Sequence, residues 1–127
     1  MINIGISYGE LFDKISILEI KKTKIKDSDS IKSVTFELNL LMDALEKSNI
    51  HNHNINQLLN ELKQVNLQLW EIEDKIREKE KHSLFDDEFI KLARSVYKTN
   101  DKRSKIKKEI NIALKSEVIE IKSYQDY

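Results

Sequence analysis

With 127 residues, 39% of them apolar and 35% charged, the chain is long enough to bury a hydrophobic core of its own and is expected to form one domain over 1–127. Its 22 Lys and Arg balance 22 Asp and Glu, which excludes a global field that would recruit nucleic acid or an anionic membrane. Zero Pro and two Gly point to helices, and zero Cys excludes a disulfide frame and thiol chemistry and suits a cytoplasmic protein.

The first residues lack the basic segment and apolar run of a signal peptide, and no apolar stretch approaches membrane-spanning length, so no membrane partner is expected. Ile2, Ile4 and Ile6 alternate with period two and suggest a short β-strand. The segment 116–124, with Val118, Ile119 and Ile121, reads the same way. A lone strand needs a partner, so the two termini are expected to pair with each other or with a second subunit.

Ser7 and Glu10 form the capping-box pattern that opens a helix over about 8–26. Leu11, Phe12, Ile15, Leu18 and Ile25 make one face, while Ile17 and Ile20 lie off it. A helix apolar on more than one side needs more than one neighbour, so this helix is expected at the centre of the fold or in a dimer interface. Glu19, beside the stripe, is the carboxylate expected to meet Arg103 or Lys107.

Asp27 to Ser30 end that helix and cap a second, over about 31–47, on Ile31, Val34, Leu38, Leu41 and Leu45. The Asn- and His-rich loop that follows holds His51 and His53, but no carboxylate or thiol stands near to complete a metal site, and no metal or other cofactor is expected. His82 reads as a polar turn residue.

The stretch 54–115 organises the rest. Ile55, Leu58, Leu62, Val65, Leu69, Ile72 and Ile76 keep an unbroken 3-4 alternation, and Asn54 with Gln57 resembles a capping box at its start. After a turn near 82–87, Asp86, Asp87 and Glu88 place negative charge at the start of a second arm. Its apolar face runs over Phe89, Leu92, Ala93, Val96 and Tyr97, then resumes at Ile106, Ile110, Ala113 and Leu114. No Gly or Pro breaks the polar gap between, so the helix is expected to continue, with Asn100, Arg103 and Lys107 on the stripe that should be core.

Antiparallel pairing about that turn makes facing residue numbers sum to about 169, which sets Arg103 near Asn66 and Asn100 near Leu69. A polar layer follows from this register, built from Asn66, Glu73, Arg94, Tyr97, Asn100, Asp101 and Arg103. Asp74 and Arg77 lie beside it, and Trp70 is available to stack on a guanidinium. Such a layer is either a satisfied network that fixes helix register or the lining of a cleft for a small anionic ligand, and layers of this kind in helical bundles are more often structural.

Several blocks of the sequence, Gly9 to Lys14, Ile17 to Lys21, Leu69 to Arg77 and Leu92 to Asp101, resemble the pattern of a family of small bacterial proteins classed only as a domain of unknown function. The resemblance covers nearly the whole chain. It implies a single-domain helical protein and brings no catalytic residues.

The resulting expectation is a mainly α bundle of about four helices, acting as a non-enzymatic binding or assembly module and self-associating as a homodimer. The alternative is a magnesium-dependent, all-helical nucleotide pyrophosphatase, for which Glu71, Glu73 and Asp74 supply carboxylates one turn apart and Asp101 would join across the hairpin. A second acidic motif is lacking, and the facing arm is basic. A third reading takes Lys91, Lys98, Lys102 and Lys105 as a phosphate-binding stripe for RNA or another polyanion, against which stand the neutral total charge and the lack of interleaved aromatic residues.

Overall fold

In a computed structural model, which describes residues 1–48, 50 and 53–127, the chain is a mainly α, four-helix bundle. Ser7 Oγ accepts the amide N–H of Glu10 at 3.1 Å and starts α1 (Tyr8–Lys24). The reciprocal half of the expected capping box is missing, because the Glu10 carboxylate turns to Lys107 instead. Asp27 caps α2 (Ser28–Lys47) by accepting the Ser30 amide at 2.9 Å. That helix begins before its apolar periodicity does, since a polar first turn leaves no apolar mark.

A 3-10 turn, His53–Ile55, precedes α3 (Asn56–Lys81), whose cap residue Ile55 offers no side-chain hydrogen bond. The helix thus takes Ile55 rather than Asn54 as its cap residue, and the Gln57 amide donates forward to Glu61 at 3.3 Å. Asp86 starts α4 (Asp87–Ala113) by accepting the Phe89 amide at 3.0 Å. As the unbroken polar stretch predicts, α4 runs straight through residues 98–105. Of the two histidines weighed and set aside as metal ligands, His51 lies outside the described residues.

Both long helices stop without Gly or Pro. Ser83 and Lys115 take left-handed φ values of 53° and 54°, and Leu84 N–H and Ser116 N–H each close back five residues, to the carbonyls of Lys79 and Asn111 at 2.9 Å. This is the Schellman arrangement, here with residues that strain where Gly would not.

The helix apolar on two sides is central. One face of α1 packs Leu11, Ile15 and Leu18 against Leu38 of α2, with Val34, Leu41 and Leu45 around them. Tyr8 and Phe12 pack on a second cluster, Leu62 and Val65 of α3 with Ile106 and Ile110 of α4. Leu62 and Ile110 are fully buried, each contributing about 1.5–3 kcal/mol from area removed from water. The composition of that cluster agrees with the antiparallel register expected of the hairpin.

The terminal β-strands do not form: no strand occurs among the described residues. Ile2 and Ile4 stay exposed, and residues 116–127 run without regular structure back along α4. There Glu120 meets Lys107 and the Tyr127 hydroxyl donates to Asp101, contacts to side chains that replace the missing strand partner.

Candidate functional site

Four positions of α1, Gly9, Asp13, Ser16 and Ile20, recur at helical spacing and are all buried. Gly9 sits so close to α4 that a Cβ there would stand 2.5 Å from the Lys107 carbonyl oxygen and 2.9 Å from Asn111 Oδ1. Only a residue without a side chain allows this approach. The Gly9 N–H donates to Asn111 Oδ1 at 2.6 Å, and the Tyr8 N–H donates to Ser116 Oγ at 3.2 Å, so two orphan amides of the first turn of α1 are met from the end of α4.

One turn further, Asp13 is 1% exposed and is the hub of a polar centre that joins α1, α3 and α4. Arg103 grips it with two N–H groups: Nε donates to Oδ1 at 2.9 Å and Nη2 donates to Oδ2. Asn66 Nδ2 donates to the same Oδ1 at 2.9 Å and to Ser16 Oγ at 3.3 Å. Lys107 Nζ lies 3.7 Å from Oδ2 and donates to Glu10 at 2.8 Å and to Glu120 of the C-terminal segment at 3.0 Å. Among the described residues no buried side-chain polar atom is left without a partner. A fully satisfied network of this kind holds three helices in one register.

The charge states follow from that geometry. Hydrogen bonding to Asp13 raises the Arg103 pKa further above its ordinary value. Burial pulls the Lys107 ammonium down, but hydrogen bonds to Glu10 and Glu120, with the Asp13 charge behind them, outweigh it, and its pKa is raised.

The expected site residues divide into two groups. Asn66, Trp70, Glu73, Asp74, Arg77 and Arg103 line one cleft of about 380 Å³ between α1, α3 and α4. In it Arg77 Nε donates to Glu73 at 3.2 Å, so Glu73 is not part of the central network. No guanidinium lies over Trp70 among the described residues; the ring–cation contact found is Lys122 with Tyr124 at 5.8 Å.

Arg94, Tyr97 and Asp101 are the second group, and they stand outside on α4 rather than in a central layer. Arg94 is exposed, Tyr97 meets the Tyr127 ring edge-on at 5.1 Å, and Asp101 accepts the Tyr127 hydroxyl. Asn100 joins the two groups, its Oδ1 taking an N–H of Arg103 at 3.5 Å. Glu19 does not reach Arg103 or Lys107; its carboxylate lies 3.8 Å from Lys63. Asp13 holds the place expected of Glu19, because it is on the α1 face turned to α3 and α4. The signal that could have found it is the 4-3-4 spacing of Gly9, Asp13, Ser16 and Ile20, which matches an apolar stripe in everything but residue type.

The carboxylates that a magnesium site would need stay apart, with Glu73 on Arg77 and Asp101 on Tyr127. Among the described residues no three His, Cys, Asp or Glu are placed to share a metal ion. Lys91, Lys98, Lys102 and Lys105 are exposed along α4, and Lys102 and Lys105 share a shallow groove with Glu61 and Glu109, which dilutes their field for a polyanion. No described helix is long and apolar enough to cross a membrane.

Comparison with curated proteins and with solved structures finds no match. A family model matches residues 2–127, almost the entire chain, and the protein belongs to that family, a family of unknown function (DUF6165).

Proposed function

We propose that the protein is a non-enzymatic helical assembly module that pairs with a second copy of itself through the outer face of α4. Asp87, Ile90, Arg94 and Tyr97 follow one another at 3-4-3 spacing on the side of α4 turned away from α3, and all four are exposed. Ile90 and Tyr97 keep 53% and 43% of their surface in water, and Leu84 and Phe85 continue the apolar surface into the turn ahead. Neither Asp87 nor Arg94 has an ion-pair partner among the described residues.

The observation that carries the reading is that this stripe is complementary to itself when reversed. Turned about a twofold axis between Ile90 and Lys91, Asp87 of one copy meets Arg94 of the other, Leu84 meets Tyr97, and the two Ile90 side chains pack at the axis. The Asp87–Arg94 and Leu84–Tyr97 pairs each occur twice, and the Ile90 pair once, at the axis. A contact of a few helical turns lies at the small end of specific interfaces, which places the dissociation constant on the order of micromolar or weaker. The lack of cysteine supports a cytoplasmic setting for this assembly.

Sedimentation equilibrium across about 1–500 µM spans the expected range. The reading expects a monomer–dimer equilibrium in the wild type and a shift of at least tenfold towards monomer in Ile90→Glu. A wild type that stays monomeric at the top of the range refutes it.

A further inference from the structure

We infer that the cleft beside Arg103 is a binding site for a small phosphate ester carrying a ring, with the phosphate held by Arg103 and Lys21 and the ring laid against Trp70. Arg103 lines the cleft with a guanidinium whose orientation is fixed from behind. Asp13 takes the edge made by Nε and Nη2, and Asn100 takes a long bond from Nη1. The guanidinium has five N–H groups, so the Nη1 and Nη2 edge keeps donors for a second, end-on acceptor with two oxygens. Its side chain is 27% exposed and lines the cleft.

Lys21 stands on the same wall, and its ammonium has no carboxylate partner among the described residues. Arg77 at the rim adds a third cation, already engaged with Glu73. With Asp13 on Arg103, Glu73 on Arg77 and Asp74 also in the lining, the cleft carries no excess of positive charge. What favours an anion is the open Arg103 edge together with Lys21, unpaired among the described residues, which an oxygen-rich tetrahedral group satisfies together. The apolar part of the wall is Ile17 and Leu69 with the half-buried indole of Trp70, and Asp74 also lines the cleft. Asn66, which also lines the cleft, gives its amide N–H groups to Asp13 and Ser16 and so belongs to the fixed backing of the site. A cleft of about 380 Å³ falls within the range of small-molecule sites and matches one ring with its phosphate.

Trp70 is the one tryptophan of the chain, so its fluorescence reports this cleft directly. The test titrates the full chain with AMP, with glucose 1-phosphate and with inorganic phosphate, in wild type and in Lys21→Gln. Lys21 lies outside the buried network, so the variant is expected to fold normally. The inference expects a saturable change with at least one of the two esters. It expects inorganic phosphate to bind about tenfold more weakly or worse, and Lys21→Gln to lose about tenfold in affinity for the ester. The tighter ester identifies the ring as a planar base or a sugar. No saturation by either ester up to about 10 mM, beyond the weakest range of specific binding, overturns the inference. Equal binding of inorganic phosphate, or an affinity unchanged in Lys21→Gln, overturns it as well. Because the readout is fluorescence rather than mass, its outcome is independent of whether the chain forms dimers.

Discussion

The two halves of the α3–α4 hairpin share one helical pattern and have opposite surroundings. In the inner half α1 lies across the pair and buries Leu62, Val65 and Asn66 on one arm and Thr99, Ile106, Lys107, Ile110 and Asn111 on the other. From residue 67 to residue 98, which takes in the turn, no residue is buried. Three of the buried side chains of the inner half, Asn66, Lys107 and Asn111, are ones that solvent would normally claim, and they remain inside because Asp13 and Gly9 of α1 answer them. The outer half keeps apolar and charged groups exposed with little to answer them. Polar residues inside and apolar residues outside point to the same division: the inner half holds the fold together, and the outer half carries the surface proposed for assembly.

The comparison is broken most forcefully at Asp13. Asp13→Ala leaves two buried or half-buried cations without their common carboxylate, at a cost of about 3–5 kcal/mol and a fall of roughly 10 °C or more in Tm. Differential scanning calorimetry checks it, and a Tm within a few degrees of wild type would show that the centre is solvated rather than structural. Arg103→Met should cost less, about 2 kcal/mol, because Lys107 at 3.7 Å still faces the carboxylate.

Gly9→Ala sharpens the same half from the backbone side. The new methyl meets the carbonyl oxygen of Lys107, which is not the end of a flexible side chain, so α1 and α4 must move apart. The expected loss is about 1–3 kcal/mol in urea unfolding, the reverse of the usual gain when Gly becomes Ala in a helix.

In the outer half substitutions should cost little or no stability. Ser83→Gly relieves a left-handed residue and is expected to raise stability by roughly 0.5–1 kcal/mol. Ile90→Glu should alter the unfolding of the monomer by no more than about 0.5 kcal/mol. If Ile90→Glu destabilises the monomer as much as Gly9→Ala does, the division into halves is wrong.

The smallest effect at ordinary pH comes from Lys107. Its pKa is raised in the fold above the ordinary value of 10.5, so the stability it contributes is fully present below that value and is lost as pH rises through the higher folded one. Thermal melts should therefore be insensitive to this group near neutrality and fall off above about pH 10.5, less steeply in Lys107→Met.

The sequence carried the helices and their pairing because those are written in apolar periodicity: Ile55 to Ile76 on one arm, Phe89 to Leu114 on the other, and the two-sided pattern of α1. Arg103, Asn100 and Lys107 were also legible, as polar residues interrupting a stripe. Their partner was not. Asp13 sits between Phe12 and Lys14 in the first turns of α1, and its inward face is marked only by the 4-3-4 spacing it shares with Gly9, Ser16 and Ile20, residues that do not read as a core stripe by type. Glu19 looked better placed because distance along a helix can be counted, whereas the rotation of α1 against the hairpin cannot. The terminal segments misled for a related reason. Alternation in Ile2, Ile4 and Ile6 records a pattern that a strand would use, but a strand also needs an edge to pair with, and a helical bundle offers none.

The claim that the outer half of α4 is an assembly surface is tested most directly by exchanging charge across the twofold. Asp87→Arg and Arg94→Asp are each made alone and then mixed in equal amounts, and sedimentation velocity measures the dimer fraction of each solution. Each variant alone sets like charges against each other twice and should be more monomeric than wild type. The mixture brings opposite charges together at both places and should recover the dimer. A mixture no more associated than its two components would contradict the account.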